Sequence, residues 1–191
     1  MRRCCNSVGA HRAPTEFSIT VGCALRTIIQ MPLLSNTKKA QLIERMIRFI
    51  PHAALQDICL ERIDGEEVTM RLPYREELVG NPETGAIHSG VLTVLLDHTL
   101  GTAGLCCDRV GATITPTLDL RIDHLGIAPA GRDILAAARV YKVTSRVIFV
   151  EGFAYYESRD KPIARATGSW VMMPDLDLEK LFSGAAEAEN L

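Results

Sequence analysis

The sequence predicts an α+β fold: an antiparallel sheet wrapped around one central apolar helix, with an extra helix at its N-terminal side. Three observations carry this expectation. Val91, Leu92, Val94, Leu95, Leu96 and Leu100 leave the stretch around them no obvious polar face, so it reads as a helix that other structure must surround. After it come four segments with the two-residue alternation of strands. Before it lie an amphipathic helix and a hairpin. The 191 residues, 47% hydrophobic and 23% charged, suit one globular domain with a sizeable core.

Residues 1–34 are expected to form a disordered tail, or an over-long start with Met31 as the true first residue. Arg2, Arg3 and Arg12 precede an apolar run over 17–25, and Val21-Gly22-Cys23 is similar to a lipoprotein cleavage site. Ser18, Thr20 and Gly22 interrupt that run, however, and Arg26 closes it, which argues against an export signal. The folded domain is placed at 35–175. Ser35-Asn36-Thr37 supplies capping chemistry for a helix over 38–50, where Leu42, Ile43, Met46, Ile47 and Ile50 recur at helical spacing and Pro51 stops the run. Strands over 58–63 and 68–74 join at Asp64-Gly65. A turn-rich loop covers 75–87, and the apolar helix follows, ending around Gly101 to Gly104. Leu118, Leu120 and Ile122 alternate with Asp119, Arg121 and Asp123. Further strands are expected over 133–143, 147–157 and 163–173, with 176–191 as a C-terminal tail.

Composition narrows the function classes. A net charge of -2, with no aromatic-interleaved basic stripe, gives no support for nucleic-acid binding. No apolar run reaches the length of a membrane span, so no membrane partner is expected. The six cysteines form two adjacent pairs and two singletons without CxxC spacing, which argues against a disulfide framework or a zinc site and for reduced thiols in the cytoplasm. His98 and His124 lack ligand spacing. Neither metal nor cofactor is expected.

The chemistry gathers where the loop meets the apolar helix. Asn81-Pro82-Glu83-Thr84-Gly85-Ala86-Ile87-His88-Ser89-Gly90 leads into it, and Asp97 is its one carboxylate. Free N–H groups and the positive dipole end at Ser89 and Gly90 favour developing negative charge. A carboxylate among leucines is costly to desolvate unless paired, so its presence suggests a use. Asp97 lies nine residues beyond His88, about 13 Å along a helix and about half a turn out of phase. One carboxylate is poorly placed to serve its own helix start. If the two features cooperate, two helices must lie side by side and antiparallel in a dimer with shared sites.

This combination resembles the hotdog-fold acyl-CoA thioesterases of the PaaI type. Members show Asn, then Gly-x-x-His-Gly-Gly, then an apolar stretch ending in Asp; here stand Asn81, Gly85, His88, Ser89, Gly90 and Asp97, and the likeness covers about 51–173. The resemblance implies homodimers that pair sheets edge to edge, often again into tetramers. It implies that the amide of Ser89 binds the thioester carbonyl oxygen and that Asp97 acts from the neighbouring subunit as base or nucleophile. A strand hydroxyl that assists in some members falls on Thr117. Ser89 departs from the usual glycine; an amide N–H survives the change, while the added hydroxymethyl is expected either to narrow the thioester site or to alter substrate choice.

Thioester hydrolysis suits so sparse a site, because a thiolate leaving group with a pKa of roughly 8–9 needs little help from an acid. His88 either orients the loop or bonds substrate, or else caps the helix. Asn81 either holds the attacking water or supplies turn geometry. A serine-hydrolase reading of His88-Ser89-Gly90 fails, since the nucleophile elbow needs glycine where Ile87 and Val91 stand. Burial at a helix end explains Cys106-Cys107 better than a thiol mechanism does. The expected function is hydrolysis of an acyl-CoA to free acid and coenzyme A. The alternative is a hotdog module that binds acyl-CoA without turnover, as a sensor or scavenger.

Overall fold

The structure, a computed structural model, describes residues 34–181; the expected N-terminal tail falls outside them except for Leu34. Helix α1 runs Asn36–Phe49, and the Ser35 hydroxyl accepts from Lys38 N at 3.3 Å, as the capping residues predict. Pro51 does more than stop α1. It opens a short helix α2, Pro51–Leu55, since proline fits a first helical position, where no N–H is required. Strands β1 (Cys59–Asp64) and β2 (Glu67–Leu72) form the expected hairpin, turning at Gly65 with φ +60°.

The long loop is more ordered than its turn formers suggest. A 3-10 turn (Glu76–Leu78) leads into two short paired strands, β3 (Val79–Asn81) and β4 (Ala86–Ile87). Helix α3 then runs Ser89–Cys106, past the glycines expected to end it. Those glycines serve close packing: a Cβ on Gly101 would meet Trp170 Nε1 at 3.3 Å, and one on Gly104 would meet Ile148 Cδ1 at 2.9 Å. The helix stops at Cys106, whose carbonyl accepts from the Lys39 ammonium at 2.9 Å. That buried lysine also pairs with Asp108 at 2.8 Å and places positive charge at the negative end of the helix dipole.

Strands β6 (Thr117–His124), β7 (Ile134–Val143), β8 (Val147–Tyr155) and β9 (Ala164–Val171) complete a six-stranded antiparallel sheet in the order β1-β2-β7-β8-β9-β6. Sequence periodicity misses β5 (Thr113–Ile114), which is too short to show it, and its partner β10 (Met173–Asp177). Strand β10 crosses the expected boundary at 175, and buried Leu178 follows it.

Alternation along each strand decides the core. Val68, Met70 and Leu72, Ile134, Ala136 and Ala138, Ile148 and Val150, and Trp170 are buried beneath α3. Small residues let the helix lie deep: a Cβ on Gly152 would stand 2.7 Å from Leu100 Cδ1. Leu92, Leu95, Leu96 and Leu100 fill that trough, each contributing about 1.5–3 kcal/mol by burial. The wrapping is incomplete. Gly90, Val91, Val94, Asp97 and His98 are only half-buried, and Thr93 is exposed, so one long side of α3 stays open in the single chain.

Candidate active site

His88 is the N-cap of α3, with Nδ1 accepting from Gly90 N at 2.9 Å. An imidazole that accepts at Nδ1 carries its proton on Nε2, and this side chain is exposed. Of the two amides expected at the helix start, Gly90 is therefore already engaged. Ser89, the first residue of the helix, has no acceptor within it and is exposed.

The loop before the helix is pinned from several sides. His88 N donates to Leu78 O at 2.9 Å, and Ile87 N donates to Ala128 O at 3.1 Å. Gly80 passes so close that an added Cβ would lie 2.7 Å from His88 Cα. Exposed Asn81 organises the turn: its Oδ1 accepts from Glu83 N at 3.0 Å and its carbonyl from Gly85 N at 2.9 Å. These two bonds supply the turn geometry and leave the Asn81 side-chain NH₂ as a donor. Tyr74, which the sequence did not single out, donates its hydroxyl to Gly85 O at 3.2 Å.

Asp97 lies on the open side of α3, and Thr117 donates its hydroxyl to Asp97 Oδ1 at 2.9 Å. The pairing the carboxylate needs comes from the first residue of β6. Thr115, two residues earlier, donates to Gly101 O at 2.9 Å and ties that segment to the same helix. Beside Asp97, burial holds the His98 imidazole below its ordinary pKa, while the Asp97 charge pulls the other way. Burial pushes the Cys106 thiol up to about 12 and raises Cys107 as well, which removes both as nucleophiles near neutral pH. Among the described residues, no group of three or more His, Cys, Asp or Glu side chains could hold a metal ion.

Two clusters result: Asp97 with Thr117, and His88 with Ser89, Gly90 and Asn81. Ser89 precedes Asp97 by eight residues, about 12 Å of helix rise. The chain does not bring the acid to its own helix start.

A family model described as thioesterase superfamily matches residues 84–163, which include both clusters except Asn81. A crystal structure of a Pseudomonas aeruginosa protein shares 36% identity over 71% of this chain and 99% of its own, with a TM-score of 0.65. The chain belongs to the thioesterase superfamily. The E. coli PaaI protein from the phenylacetic acid degradation operon shares 19% identity over 73% of this chain and 96% of its own, with a TM-score of 0.61. Zebrafish thioesterase superfamily member 2 shares 19% over 73% and 99%, with a TM-score of 0.62. At that identity these two show the fold, the hotdog arrangement that the motif's resemblance implied. No curated protein matches the chain. Membership in this superfamily supports thioester hydrolysis as the reaction class. Among the described residues, no helix is long and apolar enough to cross a membrane.

Proposed function

We propose that this thioesterase-superfamily chain hydrolyses an acyl-CoA to free acid and coenzyme A, at a site shared between two copies of itself. The observation that carries the reading is the position of Asp97: hydrogen-bonded to Thr117 at the start of β6, and remote from its own Ser89.

Strand β6 ends the sheet, so one of its edges presents backbone N–H and C=O groups to a new strand. Leu118, Leu125 and Ile127, on the strand and just beyond it, are largely exposed. Antiparallel pairing of β6 with the same strand of a second copy sets the start of one against the end of the other. Thr117 and Asp97 lie at the start. At the end, the chain passes His124 and reaches Ala128, whose carbonyl binds Ile87 beside the His88 motif. Edge pairing therefore carries the acid of one copy toward the partner's Ser89, and also covers the open side of α3. Two such dimers paired again would make the tetramer common in this fold.

In this site the partner's Ser89 amide, at the positive end of a helix, polarises the thioester carbonyl and holds the oxyanion at about 3 Å. Thr117 fixes Asp97 through Oδ1, leaving Oδ2 for the reaction. As base, Asp97 takes a proton from water while the water oxygen bonds to the acyl carbon; the C–S bond then breaks and the proton passes to the departing thiolate. As nucleophile, Asp97 attacks the acyl carbon through Oδ2, and the C–S bond breaks to release coenzyme A thiolate. Water then hydrolyses the resulting mixed anhydride to free acid and carboxylate, its proton passing to the thiolate. The Nε2–H of exposed His88 and the Asn81 NH₂ supply donors beside the acyl oxygen and the water. Free thiols at Cys59, Cys106 and Cys107 agree with a cytoplasmic setting.

Thiol release from a panel of acyl-CoAs, wild type against Asp97→Ala, tests the reading. Turnover by the wild type that the substitution abolishes, with binding retained, supports it. Binding without turnover on every substrate would replace it with the binding-module alternative.

A further inference from the structure

We propose that Tyr74 is a positioning residue for this reaction, its hydroxyl setting the height of the loop that delivers the Ser89 amide. The inference rests on the thioesterase reading and extends it to a residue outside the motif.

Tyr74 follows β2, and its half-buried ring packs against the core. That anchor is rigid because the Tyr74 N–H donates to Asp133 Oδ1 at 2.9 Å, while Asp133 Oδ2 accepts from Arg71 Nη1 at 3.3 Å. From this base the phenol reaches across to the carbonyl of Gly85, at 3.2 Å, four residues before Ser89. Gly85 has little freedom to move elsewhere. It holds φ +67°, and a Cβ there would lie 2.8 Å from Ala130 Cβ and 3.4 Å from the Tyr74 hydroxyl itself. Gly85 is thus crowded by both the hydroxyl from the end of β2, which also holds its carbonyl, and the loop that joins β6 to β7. The bonds from Ile87 to Ala128 and from His88 to Leu78 continue the grip to the helix start.

Tyr74 is bonded to the carbonyl of Gly85 and not to the motif residues His88 and Ser89, so its effect on rate is indirect. An oxyanion donor works only when aimed at where charge develops, and a displacement of the carrying peptide weakens it in the transition state more than in the ground state. A residue that merely stabilises the turn would lower the melting temperature and leave turnover per folded molecule unchanged.

The test is Tyr74→Phe, which keeps the ring and removes the hydroxyl. Steady-state kinetics on the best acyl-CoA of the panel are combined with amide hydrogen exchange over 84–91. The expected result is a fall in kcat of about five- to tenfold, KM within about twofold, an unmoved pH profile, and faster exchange confined to that segment. A kcat within about twofold of wild type would overturn the proposal, whether or not exchange changes. If the wild type turns over no acyl-CoA, the reading of the reaction falls separately, and the exchange comparison alone decides whether the hydroxyl holds the loop.

Discussion

Thr117 donates its hydroxyl to Asp97 across the gap between β6 and α3, at 2.9 Å, so the edge strand of the sheet holds the one carboxylate of the central helix. Removing either member should be felt unequally. Asp97→Asn keeps the shape and deletes the base, and is expected to lower kcat by about 10²–10⁴ in the thiol-release assay. Thr117→Val leaves the carboxylate in place but loose, and should cost about five- to tenfold. Equal losses from both would mean that Thr117 does more than orient.

Ser89 offers its backbone, and its side chain is a separate variable. Ser89→Gly keeps the amide and should retain kcat within a few-fold while broadening the range of acyl groups accepted. Ser89→Pro removes the N–H at a position where proline fits a helix, so the fold should persist and kcat fall by about 10²–10³. Circular dichroism beside the assay separates loss of the donor from loss of the protein.

Lys39 joins α1 to the end of α3. Lys39→Met fills similar volume but strands the carbonyl of Cys106 and the side chain of Asp108. We expect urea unfolding to show a loss of about 2–3 kcal/mol, below the full cost of breaking a buried pair because Asp108 is partly exposed. Activity of the folded variant should be near wild type, since this contact lies at the opposite end of α3 from Ser89.

His98 predicts a pH dependence. Its pKa is lowered by burial in the folded state, so the unfolded chain binds the extra proton first as pH falls. Stability is thus retained above the unfolded value of about 6.5 and declines as pH drops from there toward the depressed folded value. Melting temperatures at neutral and mildly acidic pH should diverge in wild type. His98→Gln should narrow that difference; an unchanged difference would assign the effect to other groups.

Much of this was legible in the sequence. The leucines of α3, the Asp64-Gly65 hairpin and the alternation in β7 to β9 announce themselves because burial imposes a period on them. The turn at Asn81 and the helix start at His88 are equally plain, since their backbone needs particular residues. Other features depend on contacts that no local pattern encodes. Gly101 and Gly104 look like a helix end until Trp170 and Ile148 are seen against them. Tyr74 meets Gly85 only after the chain has folded back on itself, and β5 finds β10 across 60 residues. Thr117 is named only through family resemblance, as an assisting hydroxyl, because a threonine in a strand carries no signal of its own; its bond to Asp97 is visible only in the fold.

Subunit mixing tests the shared site most directly. Asp97→Ala and Ser89→Pro proteins, each inactive alone, are combined under conditions that exchange subunits, and thiol release is followed. In mixed dimers one site pairs an intact acid with an intact amide, so activity should return to about a quarter of wild type. Mixed dimers that form and stay as inactive as their parents, beside an active wild type, would contradict a site built from two chains.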